Sequence, residues 1–227
     1  IRGFEALVRW RTKDGLVISP SEFVHIAEEA GFMNDLGEWV LQNGMKEAVV
    51  WNVEHGMNWI LSVNISVSQI RNEGFSDYIL KLLSDNNYEA QLLEIEVTET
   101  KMATSDDRVF IELKKLRENG IRIAIDDFGM GYSSFDYLRW MPFHVLKIDK
   151  SFVDRLVDQE IEAAIVDSII KLVERLDLEI IAEGVETEEQ LEILRKTSCN
   201  YIQGYVYSRP ISQEKVLQLI QEERVIQ

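Results

Sequence analysis

The sequence has few of the residues that define several common classes of protein. Its 227 residues include a single cysteine, Cys199, which excludes an internal disulfide and a cysteine-based zinc cluster and fits a reducing, cytoplasmic setting. No apolar run approaches the roughly 20 residues of a membrane-spanning helix, so direct membrane insertion is not expected. No signal peptide is visible either, and no linker or low-complexity tract interrupts the chain.

Basic residues are also scarce relative to acidic ones. Lysine and arginine number 24 against 40 aspartates and glutamates, which gives a formal net charge of −16. A phosphate polymer would be repelled, so a nucleic acid polymer is not an expected partner. A small phosphorylated ligand remains compatible with this charge if metal ions reverse its sign locally.

Hydrophobic residues make up 46% of the chain, which is enough to bury a sizeable core. Strand-like and helix-like segments alternate seven times, beginning with a predicted strand over Gly3–Trp10. Such alternation predicts an α/β fold with a parallel sheet. The length suits a (β/α)8 barrel with one strand unaccounted for, and an open doubly wound sheet is the alternative. No Gly-rich phosphate loop follows the first strand, which argues against a dinucleotide-binding fold.

The stretch Ile121–Ser134 contains two adjacent aspartates, Asp126 and Asp127, directly after an isoleucine-rich predicted strand. Adjacent carboxylates at the end of a buried strand repel each other and lose hydration, so a cation between them would stabilise the fold. A divalent metal would serve this purpose. Alone, the stretch is equally compatible with a solvated turn in which glycines supply positive φ angles.

Each predicted strand also carries a polar residue on one parity, while the other parity is apolar and suited to face the helices. Most of these residues lie near the carboxyl end of their strand, where barrel enzymes have their active sites. A chance origin would need seven such coincidences in buried parallel strands. The polar set is Glu5, Arg9, Asn64, Glu96, Asp126, Lys147, Glu183 and Gln203.

The polar set indicates a reaction class. Its metal-binding groups are carboxylates and one amide oxygen, a chemistry that suits Mg²⁺ or Mn²⁺ better than zinc. With Asp127 there are five carboxylates, more than one ion would neutralise, so two ions are expected. Lys147 can hold a water or a phosphate oxygen, and Arg9 offers a planar fork to a phosphate. We therefore predict metal-assisted phosphodiester hydrolysis.

These residues belong to segments that resemble the EAL family of bacterial cyclic di-GMP phosphodiesterases over the whole chain. The ordered motifs make the resemblance specific. They are Glu5-Ala6-Leu7 with Arg9-Trp10, Val63-Asn64-Ile65-Ser66, Glu94-Ile95-Glu96-Val97-Thr98-Glu99, Asp126-Asp127-Phe128-Gly129, Leu146-Lys147-Ile148-Asp149, Ala182-Glu183-Gly184-Val185-Glu186 and Gln203-Gly204-Tyr205.

The resemblance implies a modified (β/α)8 barrel of the TIM type whose first strand is antiparallel and is missing from this chain. Residues 1–227 would form a single EAL domain, excised from a longer signalling protein. The expected partners are a second copy in a homodimer and sensory domains elsewhere in the full-length protein, which could also tether it to a membrane.

The resemblance also implies site roles and cofactors. Glu5, Asn64, Glu96 and Asp126 match ligands of one metal, and Asp126, Asp127 and Glu183 match ligands of a second. Lys147, Glu183 and Glu5 match catalytic residues, and Leu7, Arg9 and Gln203 match residues that contact the substrate or its water. The cofactors would be two Mg²⁺ or Mn²⁺ ions, with Ca²⁺ inhibitory.

The implied reaction is hydrolysis of cyclic di-GMP to linear pGpG. A non-catalytic cyclic di-GMP receptor on the same barrel is the alternative. Degenerate members of the family typically lose part of the metal set, whereas this chain keeps all of it, which favours the enzyme.

Two further expectations concern carboxylates outside the metal set. Glu94 lies one inward step below Glu96, and Arg122 shares that parity on the next strand, so we predict an ion pair or a hydrogen-bonded contact between Glu94 and Arg122. The alternative is that Arg122 lies at the exposed bottom of the barrel. Glu99 has the opposite parity to Glu96. The resemblance implies that Glu99 anchors the loop Asp127–Ser134, whereas a solvated cap is the competing interpretation.

The chain departs from the family pattern at two positions. Met130 stands where threonine is usual, and Asn200 stands where aspartate is common. Neither change removes a metal ligand, although Met130 lies in the loop that couples dimerisation to activity and could reduce turnover.

Overall fold

The computed structural model describes residues 1–102, 107–129, 138, 140–157 and 160–226. The strands are β1 (Gly3–Ala6), β2 (Trp10–Arg11), β3 (Val17–Ile18), β4 (Ile60–Asn64), β5 (Leu93–Thr98), β6 (Arg122–Phe128), β7 (Val145–Ile148), β8 (Glu179–Glu183) and β9 (Tyr201–Gln203). The helices are α1 (Pro20–Ala30), α2 (Met33–His55), α3 (Val67–Ile70), α4 (Phe75–Asp85), α5 (Glu99–Met102), α6 (Asp107–Glu118), α7 (Lys150–Val153), α8 (Glu160–Arg175), α9 (Glu188–Leu194) and α10 (Gln213–Ile226). Within this described part, no helix combines the length and the apolar character needed to cross a membrane.

The chain divides into two compact units. The first comprises Ile1–Val97 and Thr104–Ile123, and the second comprises Thr98–Ala103 and Ala124–Gln227. Strand β6 begins in the first unit and continues into the second.

In the first unit, β1 pairs with β4 and β4 pairs with β5, both in parallel. Helix α2 packs against this sheet through Gly44, where a Cβ atom would lie 3.3 Å from Leu61 and 3.7 Å from Ala6. Ala6 and Leu61 therefore face the helix, as the apolar parity predicts. The β1 strand is shorter than the predicted strand Gly3–Trp10, because residues after Ala6 leave the ladder and Trp10 instead pairs with Ile18 in the β2–β3 hairpin.

In the second unit, β6, β7, β8 and β9 pair in that order and all in parallel. Apolar residues on one parity of β8 and on the facing side of α8 are fully buried or nearly so, which places the core of this unit between sheet and helix. These core residues are Ile180, Ala182, Val166, Ile170 and Val173. The parallel order confirms the predicted sheet.

Helix ends follow local sequence signals. Helix α1 has Pro20 at its first position and ends at Gly31, which has a φ of 76° and closes the last turn. Helix α9 begins with a capping box, in which the Thr187 hydroxyl and the Gln190 side chain satisfy each other's backbone amides.

A buried carboxylate on β5 ties together three segments of the first unit. Glu94 is fully buried and accepts hydrogen bonds from Arg2 Nη1 at 3.0 Å and Nη2 at 2.6 Å, from Ser62 Oγ at 2.9 Å and from Arg122 Nε at 3.1 Å. The predicted Glu94–Arg122 ion pair is confirmed, and Arg2 is an additional partner. Burial would raise the pKa of Glu94, but the hydrogen bonds and charge of Arg2, together with Ser62 and Arg122, outweigh it and hold the pKa below 4.5.

This arrangement predicts an acid-sensitive contribution to stability. Because the folded-state pKa of Glu94 is depressed, its stabilisation is present above the ordinary value of 4.5 and is lost as the pH falls through the folded-state pKa. Glu94→Gln removes the charge that pairs with two arginines, and we expect a loss of about 3–5 kcal/mol in the free energy of unfolding at pH 7. Urea denaturation at pH 7 and near pH 4 measures both effects.

The matched control is Glu118→Gln, which removes an exposed carboxylate 3.8 Å from Lys114. An exposed pair of this kind contributes about 1 kcal/mol or less. Equal losses in the two variants would contradict the role given to Glu94, as would an unchanged pH slope in Glu94→Gln.

Candidate metal centre

Three carboxylates meet at the carboxyl ends of two strands in the second unit. Asp126 and Asp127 lie near the end of β6 and Glu183 ends β8, and each offers an oxygen within 4.8 Å of the others. Lys147, on the intervening strand β7, is fully buried, with its Nζ 2.8 Å from Glu183 Oε1 and 3.4 Å from Asp126 Oδ1. Parallel pairing explains the arrangement, because it brings these strand ends to one edge.

The backbone beneath the two aspartates is irregular. Ile125 pairs with Leu146 and Phe128 with Ile148, so β6 uses one more residue than β7 over this interval. Such a bulge interrupts the ladder and redirects side chains. Asp127 has a φ of 54°, in the left-handed region that aspartate tolerates better than most residues.

Glu99 lies beside the turn that follows these aspartates. It is almost fully buried at the start of α5, and its Oε2 accepts a 2.7 Å hydrogen bond from the backbone N–H of Gly129. This hydrogen bond brings Glu99 into contact with the loop at Gly129, and its burial differs from that of the solvated cap in the competing interpretation. That Glu99 anchors the whole loop stays a prediction. The remainder of that loop, with Met130, Ser133 and Ser134, lies outside the described residues.

The first unit holds the other predicted metal ligands. Asn64 Nδ2 donates a 2.6 Å hydrogen bond to Glu5 Oε1, which links the ends of β1 and β4. Asn64 and Glu96 are paired across β4 and β5, and Glu96 is buried. Three oxygen donors thus lie on neighbouring strands of this unit.

The predicted substrate contacts are on or near strand ends. Leu7 and Arg9 follow β1 and are exposed, and Arg9 Nη1 donates to the Val8 carbonyl at 2.9 Å. Gln203 is paired with Glu183 across β9 and β8. Asn200, the second departure from the family pattern, accepts a 2.8 Å hydrogen bond from the Ile180 N–H through Oδ1, a contact that an aspartate oxygen could also make.

The carboxylate cluster fits a divalent cation. Asp126 Oδ1 is buried and has no hydrogen-bond partner among the described residues. The Lys147 ammonium group forms an ion pair with it at 3.4 Å. A buried oxygen of this kind is costly unless it has a further partner. Three carboxylates around one point carry a charge of −3, of which Lys147 offsets one unit. Hard oxygen donors with excess negative charge are what Mg²⁺ and Mn²⁺ prefer.

Sequence patterns missed the role of Gln190, which lies behind the turn that follows Glu183. Gln190 Nε2 donates to the Val153 carbonyl at 3.2 Å, and its Oε1 accepts from the N–H groups of Glu186 and Thr187 at 2.7 and 3.0 Å. The capping-box spacing of Thr187 and Gln190 could have predicted the helix start, but not the bond to Val153.

Comparison with known proteins identifies the family to which the chain belongs. The family model described as EAL domain matches residues 1–210, and the chain belongs to this family. Its fold is accordingly the α/β fold of the EAL domain, a modified (β/α)8 barrel, and among the described residues no strand precedes β1.

Two curated relatives and one solved structure illustrate the similarity. The signaling protein YkoW of Bacillus subtilis is 39% identical over 221 residues, which are 97% of this chain and 28% of YkoW. The bifunctional diguanylate cyclase/cyclic di-GMP phosphodiesterase MucR of Pseudomonas aeruginosa is 38% identical, over 95% of this chain and 31% of MucR. A structure of the PaMucR phosphodiesterase in complex with c-di-GMP has a TM-score of 0.89 at 38% identity, over 95% of this chain and 87% of that one. The chain thus spans less than a third of these curated relatives.

Proposed function

We propose that this chain is a metal-dependent phosphodiesterase that hydrolyses cyclic di-GMP to linear pGpG. The observation that carries the proposal is the carboxylate cluster with the buried Lys147 in its midst. The named activity of MucR supports the choice of substrate. Hydrolysis would add one water across one phosphodiester bond, so that a P–O bond forms to the water oxygen and the P–O bond to the ribose breaks.

The residues of the second unit would hold the metal and orient the water. Asp126, Asp127 and Glu183 supply the oxygen donors. When bound, Mg²⁺ or Mn²⁺ would neutralise charge on the phosphoryl oxygens and lower the pKa of a water. Lys147 Nζ, fixed by Glu183 at 2.8 Å, would orient that water and stabilise developing negative charge.

The remaining roles follow the resemblance. Glu5, Asn64 and Glu96 would serve as metal donors of the first unit, with two ions in all. Arg9 and Leu7 would contact the dinucleotide, and Gln203 the substrate or a water. Because the guanidinium group of Arg9 is exposed and bonded only locally to the Val8 carbonyl in the described contacts, it can turn toward a phosphate.

A direct assay tests the proposal. We expect purified protein to convert cyclic di-GMP to pGpG with Mg²⁺ or Mn²⁺, to lose activity in chelator, and to be inhibited by Ca²⁺, which is larger and less demanding of octahedral geometry. Chromatography of the nucleotides after incubation provides the measurement.

Full turnover in chelator would contradict the metal requirement. Tight binding of cyclic di-GMP without any pGpG in either metal would instead identify a receptor. The wild-type protein incubated with linear pGpG is the control for further degradation of the product.

The proposal extends to partners. Ile161 and Ile165 are exposed one turn apart on α8, and we propose that the chain forms a homodimer. By analogy with the much longer relatives, sensory domains elsewhere in a full-length cytoplasmic or membrane-tethered protein would regulate the activity of this domain.

A further inference from the structure

The four-residue helix α7 packs against the turns that follow Asp127 and Glu183. Asp149 caps it by accepting a 2.9 Å hydrogen bond from the Ser151 N–H, and Val153 at its end is fully buried. Gln190 ties the Val153 carbonyl to the turn that follows Glu183. A short helix fixed at both ends can serve as a support for neighbouring loops.

Two side chains of α7 pack on the turns that follow the cluster residues. The ring of Phe152 fills the space beside Gly129, so that a Cβ on Gly129 would clash with its Cε2 atom. The aliphatic stem of Lys150 fills the space beside Gly184 in the same way, while its Nζ bridges Glu186 and Asp154. Gly129 and Gly184 have φ angles of 103° and 67°, so both turns adopt the left-handed conformation that suits glycine.

The turn after Asp127 needs such support. The bulge interrupts the β6–β7 ladder between Ile125 and Phe128, at the two aspartates, so the contacts of the turn that follows help to set the backbone there. Gly129 donates its backbone N–H to Glu99, and the Phe152 ring packs against its Cα where a side chain would otherwise lie.

From this packing we propose that Phe152 is a positioning residue for the metal centre. Its ring seats Gly129, and this contact sets the backbone that presents the Asp127 carboxylate to a divalent cation. The inference rests on the proposed function only in requiring that the cluster binds a metal. Phe152 itself touches neither metal nor substrate in this role.

Metal binding without substrate tests the proposal. We expect Phe152→Ala to weaken Mn²⁺ binding by about tenfold or more, as is typical when support behind metal ligands is removed. Titration of the purified protein with MnCl₂, followed by the EPR signal of free Mn²⁺, provides the measurement. Phe152→Leu, which keeps bulk against Gly129, should remain within about threefold of wild type.

Val173→Ala is the matched control, because it removes methyl groups that are fully buried in the core of the same unit, on α8 rather than α7. It should lower the melting temperature and leave Mn²⁺ affinity within about twofold of wild type. In hydrolysis assays, Phe152→Ala should raise the Mn²⁺ concentration for half-maximal rate by about tenfold and recover most of the rate at saturating Mn²⁺.

The outcomes separate this inference from the proposed function. Equal Mn²⁺ affinity in Phe152→Ala and wild type would overturn the inference and leave the phosphodiesterase proposal intact. Weakened Mn²⁺ binding in Phe152→Ala, with no cyclic di-GMP hydrolysis by wild type, would support the inference while the proposed reaction fails. A wild-type protein that binds no Mn²⁺ would overturn the inference as well.

Discussion

Asp126→Asn is expected to abolish hydrolysis of cyclic di-GMP, with a fall in kcat of roughly a thousandfold or more. Asp126 is the most buried of the three clustered carboxylates, and its Oδ1 has no hydrogen-bond partner among the described residues. Asparagine keeps the shape but removes the charge, so the cluster loses a third of its negative charge and Lys147 then offsets half of the remainder. Steady-state kinetics at saturating Mn²⁺, monitored as pGpG release, provide the measurement.

The same substitution at Asp167 is the control. Asp167 is partly exposed on α8 and pairs with Lys171 within the helix, so Asp167→Asn should leave kcat within about twofold of wild type. A rate in Asp126→Asn that is within tenfold of wild type would show that Asp126 is not a metal ligand.

Glu99→Gln is expected to raise the Mg²⁺ concentration needed for half-maximal activity by about tenfold and to lower the rate at physiological Mg²⁺. The buried carboxylate accepts the Gly129 N–H at 2.7 Å, and a hydrogen bond to a charged acceptor is roughly twice as strong as one to a neutral amide. Weakening it would loosen the turn that carries Asp127. The measurement is activity as a function of Mg²⁺ concentration.

Thermal stability should change little, because the amide oxygen of glutamine can still accept a hydrogen bond from the Gly129 N–H. Glu192→Gln, at an exposed site paired with Arg195 in the same unit, serves as the control for loss of one negative charge. Metal dependence in Glu99→Gln identical to that of Glu192→Gln would show that the Glu99 contact does not reach the metal centre.

Much of the architecture could be predicted from the sequence because it depends on local patterns. The alternation of strand and helix identified the parallel sheet, and Pro20 and Gly31 marked the ends of α1. The end of β1 could not be found in this way. Leu7 and Arg9 continue the strand-like alternation, and only the β2–β3 hairpin shows that the chain has left the ladder.

The residues of the candidate site could also be predicted from local patterns, but their backbone geometry and their supporting contacts could not. Parity along the strands selected Asp126, Lys147 and Glu183, which the second unit brings within a few ångströms of one another. Parity does not reveal a bulge, and it does not assign a partner such as Arg2, which precedes its strand. The packing of Phe152 on Gly129 could not be predicted from the sequence either, because the two residues are far apart in the chain and the contact depends on the positive φ angle of Gly129.

The left-handed backbone at Asp127 has a consequence for which sequences can occupy this position. A φ of 54° strains most side chains, whereas aspartate and asparagine tolerate it and glycine adopts it most freely. Glycine at position 127 would thus relax the backbone while deleting a carboxylate from the cluster. Selection for stability alone would favour glycine there. In the proposed metal role, the aspartate therefore marks a position at which folding and chemistry make opposing demands on one residue.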